Sequence, residues 1–163
     1  MNKNETLLFL KQGLSNLWLK DSKLILKSAK EEAINHRLAK YLEDELSDTQ
    51  NNGLNVDLEY NSDGEGKKKI RIKRKFTNIR PDIIFHIREI NENNFLAIEV
   101  KINKTSTHDR NKLIGLMQPP YNYKYGAAIS CMPKKDHFVV IFFYTYLNYI
   151  YEREFLIQKQ NNC

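Results

Sequence analysis

A chain of 163 residues is the size of one domain and long enough to bury a substantial core. With 41% hydrophobic and 28% charged residues it has the make-up of a folded soluble protein rather than a disordered one, and its net charge of +6 favours an anionic partner, nucleic acid first and a membrane surface second. Cys131 and Cys163 are too few for a disulfide framework or a zinc site. The most apolar run, FVVIFFYTYL, is far short of the ~20 residues of a spanning helix, and the N-terminal MNKNETLLFLKQGLSNLWLK lacks a secretory cleavage pattern. The expected compartment is cytoplasmic, with no membrane partner.

Residues 5–19 and 28–46 read as helices. In the second, Ile34, Leu38, Tyr41 and Leu42 recur at helical spacing, with Lys30, Lys40, Glu43 and Asp44 mostly flanking that stripe. Ser28 followed by Glu31 has the pattern of a capping box. The period then changes. LNVDLEY alternates as a strand, and NSDGEG is dense in turn formers. KKKIRIKRKF places seven Lys or Arg between positions 67 and 75 with no acid. It fits a strand with one basic face or, equally, a mobile arm, so 61–76 is set apart as a basic loop or arm. RPDIIFHI and NFLAIEVKI are two apolar strands joined through NEN as a hairpin. STHDRNKLIGLMQ reads as a short helix capped by Ser106 or Thr107 and stopped by Pro119 and Pro120. YKYGAAISCM and HFVVIFFYTYL are later strands with Pro133 in the turn between them, and NYIYEREFLI fits one more. With no internal repeat, the expected class is one mixed α/β (α+β) domain over 1–163, in the order α-α-β-β-β-α-β-β.

The charged pair inside FLAIEVKI needs an explanation. Ala97, Glu99 and Lys101 share one face of the strand, opposite Leu96, Ile98, Val100 and Ile102. Ions taken out of water cost several kcal/mol unless paired or bound, so these two face water or serve chemistry. With the hairpin loop centred on Glu92, Glu99 falls nearly opposite Ile84 and Lys101 nearly opposite Asp82, which gathers Asp82, Glu99 and Lys101 at one end. Two carboxylates at a strand end suit a hard divalent cation, and an adjacent lysine suits an attacking hydroxide or a developing phosphorane charge. Beside such a site, Lys67, Lys68, Lys69, Arg71, Lys73, Arg74, Lys75 and Arg80 become a clamp for a phosphate backbone. Other polar residues have plainer readings: His86 as a hydrogen-bonded histidine at a strand end, and Lys112 as an exposed helix lysine. Tyr121, Tyr123 and Tyr125 form an alternating series with one face in the core, base stacking being the alternative.

RPDIIFH, a short loop and FLAIEVK together resemble the PD-(D/E)xK motif of the restriction-endonuclease-like nuclease superfamily, with Pro81 and Asp82 as its PD and Glu99, Val100 and Lys101 as its ExK. EEAINHRLAKYLE, VDLEYN and YGAAIS extend the resemblance to small bacterial members over most of residues 28–130. It implies a restriction-endonuclease-like core, a helix, three strands, a helix and a strand around a central mixed sheet flanked by helices. It also implies Mg2+ (or Mn2+) held by Asp82, Glu99 and the Val100 carbonyl, DNA as the substrate, and, as in many nucleases of this fold, a homodimer that cuts both strands. In many members a helix carboxylate joins the metal site. The matching position is Glu31, on the side of Ile34, Leu38 and Leu42; metal ligand and helix cap are both open to it. Glu59, in VDLEYN, lines the same site or faces water.

Overall fold

The structure, a computed structural model, describes residues 1–27, 29–47, 53–63, 66–72, 75–88 and 93–158. Its elements in chain order are α1 (Lys3–Leu26), α2 (Glu31–Ser47), β1 (Asn55–Leu58), β2 (Ser62–Asp63), β3 (Gly66–Lys67), β4 (Lys69–Ile72), β5 (Lys75–Asn78), β6 (Ile83–His86), β7 (Leu96–Ile102), α3 (Thr107–Leu116), β8 (Tyr125–Met132), β9 (His137–Tyr146) and β10 (Tyr149–Gln158). A six-stranded mixed sheet runs in the order β1-β6-β7-β8-β9-β10, and β2-β3 and β4-β5 form two separate two-stranded ribbons. Within the sheet only β7 and β8 are parallel, the crossover between them being α3; every other neighbouring pair is antiparallel. Among the described residues no helix is long and apolar enough to cross a membrane.

The alternation read from the sequence decides how the layers pack. Ile83, Phe85, Leu96, Ile98 and Val100 face the larger core, where they meet Leu10, Leu14 and Leu17 of α1 and Ile34, Leu38 and Leu42 of α2. Ile84, Ala97, Ala128 and Phe143 face the other way and meet Leu113 and Leu116 of α3. The sheet therefore carries helices on both faces, and the expected stripe on α2 is buried throughout. Tyr121, Tyr123 and Tyr125 are all buried, so none presents a ring to a base.

Several boundaries differ from expectation for local reasons. The first helix runs from residue 3 to 26 and not 5 to 19, because Asn2 and Glu5 close a capping box at its start and Asp21 continues it through a kink. Asp21 accepts hydrogen bonds from Arg37 Nε at 2.6 Å and from the Tyr41 hydroxyl at 2.5 Å, which secures that kink to α2. The hairpin register is also offset from the expected one: Ile83 pairs with Ile98, Ile84 with Ala97 and Phe85 with Leu96. The turn is thus centred earlier than Glu92, and Glu99 comes opposite Asp82 rather than Ile84. The exposed β10, carrying Glu152, Arg153 and Glu154 in succession, closes one edge of the sheet with charges that work against edge-to-edge pairing.

The basic segment is folded. Lys69 pairs with Asn78, Ile70 with Thr77 and Arg71 with Phe76, so β4 and β5 make a hairpin, not an arm. Ile70 is buried on α3, where Gly115 leaves room for it: a Cβ on Gly115 would lie 2.8 Å from Ile70 Cδ1 and 3.1 Å from its Cβ. The Tyr121 hydroxyl accepts from Lys69 N at 2.8 Å, and Lys68 O accepts from Ile79 N at 2.9 Å, which fastens the foot of the hairpin. Gly115→Val should prise the hairpin off α3. We expect a lower thermal midpoint, from an overpacking cost of about 1–3 kcal/mol, and faster amide exchange in β4 and β5 while the β7–β8 amides stay protected.

Candidate functional site

Glu99 is the anomaly around which the site is built: a carboxylate with 0% exposure in an interior strand of the sheet. Lys112 Nζ lies 2.7 Å from each of its oxygens and donates to Oε2, while Oε1 is buried with no hydrogen bond satisfying it. Burial, seconded by the charge of Asp82, pushes the Glu99 carboxyl up to about 8. Asp82, just before β6, sits across the strand boundary and accepts from Val100 N at 2.8 Å through Oδ2. Its carboxyl is also raised by burial, against the opposing pull of the Val100 N–H and of the Lys101 and Lys112 ammonium groups. Burial thus makes both neighbouring acids resist ionisation, even with two lysines beside them.

Lys101 has a different tether. Its Nζ donates to Glu31 Oε2 at 2.8 Å and stands 3.9 Å from Asp82 Oδ2, while Glu31 Oε1 accepts from Ile102 N at 3.1 Å. Burial opposes the ammonium, yet the bond to Glu31 and the Asp82 charge outweigh it and raise the Lys101 pKa. Glu31 thus opens α2 beside the carboxyl end of β7, with both oxygens engaged. The alternative reading of Glu31 as a cap turns on Ser28, which lies outside the described residues. Asp109 adds a further acid: it accepts from Ser106 N at 2.8 Å and Ser106 Oγ at 2.7 Å as the capping box of α3. Burial would raise it, but the Ser106 bonds and the charges of Lys101 and Lys112 leave it below the usual carboxylate range.

Not every expected residue stands where the sequence put it. Lys112 is no exposed helix lysine; its side chain is 13% exposed and it also donates to the Arg80 carbonyl at 3.3 Å. The signal was present, since Asp109, Leu113 and Leu116 are the buried face of α3 and Lys112 lies one turn from Asp109 and Leu116. Lys68 is corrected as well: it is 2% exposed, its Nζ 4.8 Å from the centre of the Tyr121 ring and 5.5 Å from that of Tyr60, so it has no open face for a phosphate backbone. Lys67, Lys69, Arg71, Lys75 and Arg80 are exposed, whereas Lys73 and Arg74 lie outside the described residues. Arg80 pairs with Glu59 at 3.3 Å, and Glu59 N donates to the Asp82 carbonyl at 3.0 Å, so Glu59 borders the site through its backbone. His86 is a structural histidine: buried, with Nε2 2.8 Å from Asp57 Oδ2, at the far end of β6 from Asp82.

Among the described residues no group of three or more His, Cys, Asp or Glu is gathered closely enough to hold a metal ion. The pair Asp82 and Glu99 nevertheless suits magnesium, which takes one or two carboxylates and keeps several waters. Glu99 Oε1, buried with no hydrogen bond, and the burial-raised carboxyls of both acids fit a cation ligand set. Compared with known proteins, the chain matches no family model, no curated protein and no solved structure.

The raised Glu99 carboxyl has a thermodynamic consequence for the protein without divalent ions. Unfolded, the group ionises near 4.5; folded, near 8. Between those values the native state keeps a proton that the unfolded state has lost, so its contribution is fully present below about 4.5 and is lost as pH rises toward 8. Denaturant titrations in chelator should show Glu99→Gln removing a downward slope on the order of 1 kcal/mol per pH unit across that window.

Proposed function

We propose that the protein is a magnesium-dependent nuclease that hydrolyses phosphodiester bonds in DNA. One observation carries this: Asp82 and Glu99 come together where β6 and β7 pair, in a buried setting that raises both carboxyls, with Lys101 held beside Asp82 by Glu31. The arrangement of elements supports it. Helix α2, antiparallel strands β1, β6 and β7, crossover helix α3 and parallel strand β8 follow the order of a restriction-endonuclease-like core. That core, and the family it belongs to, are part of the proposal.

Each group has a distinct role in this reading. Asp82 and Glu99 would hold the magnesium ion, with the Val100 carbonyl as a further oxygen; the Val100 N–H meanwhile fixes the Asp82 rotamer. A bound ion would polarise the scissile phosphate and make water a better nucleophile there. Lys101 stabilises the attacking oxygen and the negative charge that grows on the phosphoryl group. Glu31 is a positioning residue whose hydrogen bond keeps the Lys101 ammonium charged and aimed. Lys112 pairs with Glu99 and would share that carboxylate with a bound ion. Lys67, Lys69, Arg71, Lys75 and Arg80 supply the sequence-independent grip on the backbone.

The same Lys112 contact favours a second reading, a nucleic-acid-binding module of this fold that does not cleave, because Glu99 already has an ammonium partner with no metal at all. A plasmid assay separates the two. The purified protein should nick supercoiled DNA with magnesium and not with chelator. Asp82→Ala and Lys101→Ala should each lower the rate at least ~100-fold, with circular dichroism unchanged. Magnesium or manganese at 100 times its dissociation constant should stabilise the wild type by about 2.7 kcal/mol, and Asp82→Asn should abolish that gain. Full activity in both alanine variants defeats the nuclease reading; DNA binding with no cleavage and no metal-dependent stabilisation selects the second.

A further inference from the structure

The β4–β5 hairpin divides its side chains between two faces. One carries Ile70 and Thr77 and is spent on α3, where Ile70 packs over Gly115. The other carries Lys69, Arg71, Phe76 and Asn78, all of them exposed. Phe76, directly across from Arg71, is 76% exposed, the highest value for any large hydrophobic side chain among the described residues. The stretch from Lys67 to Arg80 holds eight Lys or Arg and no acid. A bare phenyl ring across from Arg71, on a ribbon face with no acid of its own, is complementary to a polymer whose charge is uniformly negative and whose apolar parts are flat.

The chain path says which polymer. Phe76 lies six residues before Asp82, so no more than about 20 Å of extended chain separates the two. On a duplex that span covers about six base steps. A strand whose backbone lies along Lys69 and Arg71 is therefore within reach of the acid pair. Base faces are covered by their neighbours inside a duplex and become open to a protein ring in single strands, bulges and frayed ends.

We infer that the outer face of the β4–β5 hairpin binds single-stranded nucleic acid, with Phe76 stacking on an unpaired base and Lys69 and Arg71 holding the adjoining phosphates. This rests on the nucleic-acid partner of the function proposed above, and not on cleavage. Ring and cations have separable roles: the ring confers a preference for open bases, and the cations confer a grip indifferent to sequence and sensitive to salt.

The test is fluorescence anisotropy with labelled oligothymidine and with a blunt duplex, in chelator so that no cleavage intervenes. Phe76→Ala should weaken single-strand binding about 5- to 150-fold with an unchanged salt slope, while Phe76→Tyr should retain most of it. Lys69→Ala and Arg71→Ala should each reduce the salt slope by about 0.7. With Phe76→Trp, oligothymidine should quench the new exposed indole. Equal single-strand affinity of wild type and Phe76→Ala overturns the inference, as does absence of quenching, binding confined to the duplex, or binding to phosphatidylserine vesicles in place of either nucleic acid. Loss of plasmid nicking with these binding results intact counts against the nuclease reading alone.

Discussion

Everything at the proposed site depends on holding a carboxylate where water cannot reach it. Glu99 occupies a strand position whose neighbours along the same face are Ala97 and Lys101, and α3 covers it. An ionised carboxyl in such a place demands a counter-charge, and three parts of the chain are arranged around that demand. Helix α3 delivers Lys112, the adjacent strand delivers Asp82, and the chain beyond Glu99 itself delivers Lys101. Burial raises both carboxyls although two lysines face two acids, so the cost of the cluster lies in its desolvation and not in its charge count.

The sheet topology makes this economical. Parallel pairing of β7 with β8 requires a crossover, and the crossover is α3, which begins only five residues after β7 ends. The helix that completes the fold therefore also lids the acid pair. Its capping box, Ser106 with Asp109, sets the start of the helix and so the turn on which Lys112 falls. On the opposite layer, α2 begins close enough to the end of β7 for Glu31 to accept from the Ile102 amide. Two helices from two layers thus meet the same strand end, one presenting an acid to Lys101 and the other a base to Glu99.

Periodicity was a good guide to the elements and a poor one to their details. The apolar stripe of α2, the alternation in β6 and β7 and the turn at Pro133 are all local properties, and they could be read directly from residue order. The trio Asp82, Glu99 and Lys101 was legible for the same reason, because strand alternation and a short hairpin suffice to bring it together. Register was not: it depends on the turn, and a shift of the turn centre moves Glu99 from Ile84 to Asp82. Lys112 and Lys68 were misjudged because lysine is read as a surface residue by default, whereas burial here is imposed by partners distant in sequence, Glu99 for the one and the rings of Tyr60 and Tyr121 for the other. The basic run fits a strand with one basic face as well as an arm, and what selects the strand is the seat of Ile70 on Gly115, a contact that residue order does not show.

The foot of the β4–β5 hairpin is pinned by the Tyr121 hydroxyl and the Lys68 carbonyl, and from Asn78 the chain passes through buried Ile79 and Pro81 straight into Asp82. Only three residues lie between the ribbon and that acid. Under the proposed function, a load on the basic ribbon would reach Asp82 through Ile79, Arg80 and Pro81 alone, so seizing a polymer and aligning that carboxylate would be one mechanical event instead of two independent ones.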